Sequence, residues 1–381
     1  MRLKDIGTIV TGNTPSKKNN EYYESNDILF IKPSDIEENY ITSLENSEEY
    51  ISEKAREKAR ILPEGAVLVT CIGTIGKVGI LKKEATCNQQ INAIIPNDKV
   101  ISKYLAYLMK SKQKLLQLKA NAPVVPIINK TDFSEMKINI CDIDEQKKIV
   151  EQLDLLKTII DKRKKQIEEL QNILKSQFVE MFGDPYFNQY NWKIGTIRDL
   201  VSDVRYGTSK PSNEGGKYKY LRMNNITYSG KLDITDIKYI DISDNEIEKC
   251  STKRGDVLFN RTNSRELVGK TCVFDLDEQM IIAGFVIRIR VNELASPYFL
   301  SEFLNTKYMK KRLYNMCKNA SGQSNINAQE LQSIKIYIPP IELQNQFAEI
   351  VKQIDKQKFE IEKSLKEMQE LYESLMEKYF G

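Results

Sequence analysis

The chain has 381 residues, 57 Lys and Arg against 53 Asp and Glu, a net charge of +4 and no histidine. Its length exceeds one ordinary core, and the missing histidine excludes Ser-His-Asp and Cys-His triads, HNH-type nuclease chemistry and most zinc or non-haem iron sites. So small a positive balance leaves any nucleic-acid contact to local patches.

No apolar run approaches the roughly 18–20 residues of a membrane span. The opening MRLKDIGTIVTG carries Asp5 inside its only apolar patch, unlike a signal peptide. Six scattered cysteines with no CxxC pair read as reduced thiols, so a cytoplasmic protein is expected. The first turn-rich stretch, GNTPSKK at 12–18, offers Thr14, Ser16, Lys17 and Lys18. Small hydroxyls and glycine let backbone approach a phosphate, and lysine adds charge. Alternating apolar runs at 28–32, which ends on Lys32, and at 67–71 read as strands separated by turn residues. GTIGKVG at 73–79 lacks the GK[ST] and spacing of a P-loop and reads as a glycine turn. CNQQIN at 87–92 supplies Asn88, Gln89 and Gln90 as polar candidates for DNA contact, and a helix is expected around 104–118.

Asp142 and Glu145 have capping-box spacing and open a long helix. Its seam runs Ile149, Leu153, Leu156, Ile160, Arg163, Ile167, Leu170, Leu174, Gln177, Met181, in the steps of four and three that mark a coiled coil. Within it DKRKKQ (161–166) reads first as a solvated face, with phosphate contact by Lys162, Lys164 and Lys165 as the functional alternative. Gly183 suits a left-handed cap. GDPYF (183–187) has a single proline and no glycine-rich nucleotide loop to accompany it, so it does not read as an amino-methyltransferase motif.

The same kinds of element then return. RYGTSKP (205–211) holds Arg205, Tyr206, Thr208, Ser209 and Lys210 as counterpart candidates, and Arg222 stands where the first half has Lys32, both of them further candidates for DNA contact. A strand at 257–260 leads into NRTNSRELVGK (260–270), where Arg261, Asn263, Ser264 and Arg265 crowd a turn. Arg and Asn have bidentate matches to guanine and adenine, with salt bridging as the structural alternative. A strand at 286–291 and a helix around 298–313 precede GQSNIN (322–327), with Gln323, Ser324 and Asn325 as further polar candidates. Pro339-Pro340 introduces the second long helix. Its seam is Phe347, Val351, Ile354, Lys358, Ile361, Leu365, Met368, Tyr372, Leu375, Tyr379, and it closes on Gly381.

A shift of 198 residues lays IINKTDFSEMKINI (127–140) on NINAQELQSIKIYI (325–338) and Phe182-Gly183 on Phe380-Gly381. The earlier matches are looser but keep their order: GAVLVT on GDVLFN, IGKVGI on VGKTCV, IKPSDI on LRMNNI. The chain is one design built twice. The expected fold is α+β: two similar mixed α/β globules at opposite ends of an antiparallel two-helix coiled coil with an internal pseudo-twofold. The expected boundaries are a globule over 1–142, a helix over 143–183, a globule over 184–338 and a helix over 339–381. Helices on the order of 55 Å long would hold two modules at a fixed distance, as dimeric readers of duplex DNA do with half-sites about 34 Å apart.

Several stretches, taken together and in this order, resemble the specificity (S) subunit of type I restriction–modification enzymes. They are GNTPSKKNNEYY through ILFIKPSDI (12–36), GDVLFNRTNSRELVGK (255–270), DEQKKIVEQLD (144–154), KSQFVEMFGDP (175–185) and IPPIELQNQFAEIV through the final YFG. The resemblance covers essentially the whole chain. It implies two target-recognition domains on double-stranded DNA, separated by helices that dock two methyltransferase subunits, with ATP-driven restriction subunits joining them. It also implies no catalysis and no cofactor in this chain; S-adenosylmethionine, ATP and Mg would belong to the partners. The specificity subunit of a fused nuclease–methylase system and a protein-binding coiled-coil scaffold remain alternative readings.

Overall fold

The computed structural model describes residues 1–120, 126–317 and 324–381. They form two compact units, Met1–Lys164 with Lys363–Gly381, and Lys165–Glu362. Both units are built to one plan.

In the first unit the strands are β1 (Gly7–Thr11), β2 (Ile28–Ile31), β3 (Ile41–Leu44), β4 (Glu49–Ile51), β5 (Val67–Thr70), β6 (Val78–Leu81), β7 (Ala85–Cys87) and β8 (Ile91–Pro96). They make a five-stranded sheet ordered β1-β8-β5-β6-β3 and a three-stranded sheet ordered β4-β2-β7. Helices α1 (Ser102–Ser111), α2 (Gln113–Lys119) and α3 (Lys130–Ser134) lead to the first long helix, α4 (Ile143–Phe182).

The second unit has β9 (Lys193–Thr196), β10 (Val201–Tyr206), β11 (Tyr218–Leu221), β12 (Lys238–Ile240), α5 (Asp244–Cys250), β13 (Asp256–Asn260), β14 (Thr262–Asn263), β15 (Thr271–Phe274), β16 (Ile281–Ile282) and β17 (Val286–Val291). Then come α6 (Pro297–Asn305), α7 (Lys307–Met316), β18 (Ser324–Asn325), α8 (Ala328–Gln332), β19 (Lys335–Ile338) and the second long helix, α9 (Ile341–Phe380). Its main sheets run β10-β17-β13-β15 and β12-β11-β16, the order of the first unit without its β3 edge.

The central strands explain the layering. Val67, Leu68 and Val69 are all buried, which an alternating strand with one wet face would not allow. Val67 and Val69 pack with Tyr104, Leu105 and Leu108 of α1, whereas Leu68 faces Leu29, Ile31 and Leu81. The second unit repeats this: Val257 and Phe259 meet Phe299 and Phe303, and Leu258 meets Leu221 and Cys272. The helices expected as single runs at 104–118 and 298–313 are each two. In the second, Thr306 adopts an extended backbone and its hydroxyl accepts from the Met309 amide, so it ends one helix and caps the next.

Each long helix has 40 residues and contributes to both units. Asp142 caps the first by accepting from the Glu145 amide at 2.9 Å, and Gly183 ends it at φ +84°. In the first unit Ile149, Leu153, Leu156 and Ile160 are buried, beside half-buried Leu365, Met368 and Tyr372 from the second long helix. In the second unit Phe347, Val351 and Ile354 are buried, while Ile167, Leu170, Leu174 and Ile361 are half-buried. Phe178 and Phe182, one place beyond Gln177 and Met181, fill that core in an aromatic cluster with Phe299 and Phe347, centroids 4.9–5.8 Å apart. No described helix is long and apolar enough to cross a membrane.

Candidate nucleic-acid interface

Each opening loop leaves its sheet through a glycine pressed onto a neighbouring strand end. A Cβ on Gly12 would lie 2.2 Å from the Asn88 carbonyl oxygen, and one on Gly207 would lie 2.1 Å from that of Ile282. Only glycine permits this approach. It sets the first loop against the CNQQIN turn, so the Thr14 hydroxyl donates to Gln89 Oε1 at 2.8 Å. Asn88 is buried and donates to Gln90 Oε1, also at 2.8 Å, so these two amides hold the turn while Gln89 faces solvent. Lys17 and Lys32 share Glu49 as ion-pair partner, and the hydrogen bond from Lys32 is the main cause of that carboxyl lying below its usual range. Ser16 and Lys18 are exposed.

The second unit gathers a different set. The Arg261 guanidinium lies 4.9 Å from the centroid of the Tyr206 ring, and the Tyr206 hydroxyl accepts from the Ala328 amide at 2.7 Å. Arg261 stacks on the ring as a cation–π pair, and its amide donates to the carbonyl of exposed Phe285. Just beyond, β14 pairs with β18, setting Thr262 opposite Asn325 and Asn263 opposite Ser324. Tyr206, Arg261, Asn263, Ser324 and Asn325 are thus brought together; Gln323 lies outside the described residues.

Other candidates are engaged elsewhere. Arg265 donates to the Tyr314 carbonyl and stacks on its ring at 4.1 Å, and Arg222 binds Asp236 at 2.9 Å. Lys210 pairs with Glu246 at 2.6 Å, and that hydrogen bond, with Ser243, brings the Glu246 carboxyl down to about 2. Thr208 is buried, whereas Ser209 and Ser264 are exposed. On the long helix, Lys164 donates to the Tyr40 hydroxyl at 3.0 Å, while Lys162 and Lys165 remain exposed.

Arg205 is exposed but braced from below. Its Nε donates to one oxygen of Asp203 at 2.8 Å, and fully buried Arg288 donates to the other at 2.6 Å. Burial raises the Asp203 pKa, yet the two guanidiniums outweigh it and the carboxyl lies below its usual range. Sequence reading missed Arg288; its only signal was arginine alternating with isoleucine in VIRIRV.

Two glutamines, also missed, join each globule to its long helix in the same way. Gln146 is fully buried, accepts from the Ile101 amide at 2.9 Å and donates to the Lys99 and Cys141 carbonyls, each at 2.9 Å. Gln344 is equally buried, accepts from the Ser296 amide at 2.9 Å and donates to Leu294 at 3.1 Å and Pro339 at 2.8 Å. Their signal was the shared glutamine of DEQKKIV and IELQNQF.

The second unit also contains a cleft of about 980 Å³ between α7, the 228–231 loop and both long helices. Lys231, Glu302, Lys310, Asp355 and Lys358 line it. Lys358 is buried, with no hydrogen-bond or ion-pair partner among the described residues, and burial chiefly lowers its pKa. Burial also brings Lys310 down to about 8. Among the described residues no group of three or more Cys, Asp or Glu is placed to hold a metal.

Comparison with known proteins agrees with this architecture. The family model for the type I restriction modification DNA specificity domain matches residues 1–172 and 190–371. The MjaIX specificity subunit of Methanocaldococcus jannaschii is 32% identical over 248 residues, 59% of this chain and 57% of the relative. The EcoKI specificity subunit of Escherichia coli is 26% identical over 324 residues, 79% of this chain and 69% of the relative. The chain therefore spans a little over half the length of the first relative and about two thirds of the second. In fold it is similar to the S subunit of a type I restriction–modification system from M. genitalium, with a TM-score of 0.61 over 100% of this chain and 95% of that one, at 15% identity.

Proposed function

Because the chain belongs to the type I restriction–modification DNA specificity family, we propose that it is a non-catalytic subunit that reads a split, asymmetric DNA target. In this reading it docks two methyltransferase subunits and, through them, restriction subunits. S-adenosylmethionine, ATP and Mg²⁺ belong to those partners.

The observation that carries the proposal is the duplication with divergent loops. Apart from the β3 edge of the first, both units share one sheet order, and they share the same glutamine joint, which supports two modules held to helices in one geometry. Their polar surfaces differ, with Thr14, Lys17 and Gln89 on one and Tyr206, Arg261 and Asn263 on the other. Unlike surfaces on like scaffolds suit two unlike half-sites. Arg261 and Asn263 carry the side-chain types with bidentate matches to guanine and adenine. Lys17, Lys18 and Lys162 suit phosphates, whose neutralisation adds salt dependence without sequence preference. The globules over 1–142 and 184–338 read, and the helices over 143–183 and 339–381 set the spacing and bind the catalytic partners.

The test is co-expression with the cognate methyltransferase subunit, followed by genome-wide mapping of methylated adenines. Two unlike half-sites around a fixed gap is the expected motif. A continuous short motif, or no methylation from a complex shown to have formed, refutes the reading.

A further inference from the structure

Each globule touches its own stretch of long helix at a second point besides the glutamine joint, and there the two copies differ. In the first unit the chain turns at Lys32, whose amide donates to Asp35 at 2.7 Å, and the following loop carries Tyr40 onto α4. The Lys157 ammonium sits 3.8 Å from the centroid of the Tyr40 ring, and Lys164 donates to its hydroxyl at 3.0 Å. In the second unit the chain turns in the same way at Arg222, whose amide donates to Asn225 at 2.8 Å. The following loop carries Lys231 onto Asp355 of α9, where the two form an ion pair.

The 198-residue shift lays Lys157 on Asp355 and Lys164 on Glu362. The same loop therefore meets the same place on each helix, with opposite charge on the helix side. A phenol ring presents a negative face and attracts a cation; Lys231 needs an anion. Exchanging the partners would set Lys231 against Lys157 and Lys164, and the Tyr40 ring against Asp355 and Glu362. The first exchanged contact repels; the second sets the negative ring face beside carboxylates and forfeits both lysine contacts of Tyr40, leaving only its hydroxyl to donate.

We propose that these contacts are positioning latches with mutually exclusive chemistry. Tyr40 with Lys157 and Lys164 fixes the first globule on its helix, and Lys231 with Asp355 fixes the second. Each latch orients the loop that follows the Lys32 turn in one unit and the Arg222 turn in the other. This rests on the reading of the globules as half-site readers, and it adds which residues hold each reader in register. A chain made of two like halves needs such exclusivity, because its two helices offer each globule near-equivalent docking places.

The test uses the full chain with its methyltransferase subunits and two readouts. The first is hydrogen exchange of the 227–232 and 37–41 loops, which does not depend on DNA recognition. The second is methylation of targets mismatched in one half-site or altered by one base pair in the gap. K231E should raise exchange of the 227–232 loop and relax discrimination at one half-site by up to about fivefold, the scale of a partly exposed ion pair. K231E with D355K should restore both. Y40K should loosen the other loop and the other half-site, and adding K157D should restore them. If single and double variants exchange alike, or if K231E relaxes both half-sites equally, the latches are overturned. If exchange responds as described while the wild-type complex methylates no split motif, the latch stands and the reading of the globules falls instead; exchange restored without restored discrimination removes its positioning role.

Discussion

Replacing Gln344 with alanine removes the acceptor for the Ser296 amide and the donors for the Leu294 and Pro339 carbonyls. Ser296 and Pro339 are buried, so at least two backbone groups lose their partners where little water reaches. An unsatisfied buried polar group costs about 1–3 kcal/mol. With partial relaxation of the joint, Gln344→Ala should destabilise the second unit by about 3 kcal/mol. Gln344→Glu separates hydrogen bonding from packing, because a carboxylate keeps the Ser296 contact but faces two carbonyl oxygens with nothing to donate. The acid would therefore be held protonated in the fold, with a pKa above its unfolded value. Its stability contribution is present below the unfolded pKa and is lost as pH rises through the folded one. Q344E should thus be markedly worse at pH 8 than at pH 5. A chain of two units need not unfold in one step, so the assay is amide exchange in the first turns of α6 and α9, across both pH values. A loss under about 1 kcal/mol in Q344A, or a Q344E effect flat with pH, would refute the clamp. Gln146, with three matching contacts, should behave alike in the first unit.

The cleft and the opening loops supply the remaining expectations. Lys358 is buried with no hydrogen-bond or ion-pair partner among the described residues, where the first helix carries Ile160, so Lys358→Ile should raise the thermal midpoint by a few degrees, on the order of 1–2 kcal/mol; a lowered midpoint would show that the ammonium is needed there. Burial brings Lys310 to about 8, below its unfolded value near ~10.4, so the unfolded chain binds more protons between those values. Its penalty is full below pH 8 and relieved as pH rises toward 10.5; Lys310→Met should flatten that part of the stability curve, measured by denaturant midpoint against pH. Gly207→Ala would force a Cβ to 2.1 Å from a backbone oxygen. The loop holding Tyr206 and Thr208 should then shift, weakening methylation at the half-site of that globule at least tenfold, a cost of about 1.4 kcal/mol or more, with discrimination at the other unchanged.

What could be read from the sequence was whatever local chemistry decides. The long helices follow from a seam repeated every three or four residues and from caps such as Asp142 and Gly183, and these signals need no partner to be visible. The duplication was visible because the joint region kept its residues. What could not be read was decided by contacts distant in the chain. Nothing near Arg288 shows that Asp203, 85 residues away, neutralises it and braces Arg205. Nothing in the string of letters shows that Arg222 pairs with Asp236 or that Arg265 stacks on Tyr314. Thr306 divides a helix whose apolar pattern continues past it, because one hydroxyl caps better than the pattern can announce.

The two copies have diverged unevenly, and the pattern has a physical reason. A joint that clamps a globule to its helix through three hydrogen bonds of one buried side chain has little tolerance for change. Gln146 and Gln344 accordingly make the same three hydrogen bonds in both units. The latches face the opposite requirement: two like joints on two like helices would let either globule settle on either place, so the second contact has to differ. Tyr40 on lysine and Lys231 on aspartate differ in sign, the distinction least easily bridged by small movements of side chains. It follows that a globule moved by recombination or engineering carries a requirement with it. A replacement for the second globule that lacks a cation at the position of Lys231 should seat poorly against Asp355 unless the helix residue travels too. Its defect should be repaired by changing that one helix residue, with no change to the loops that face DNA.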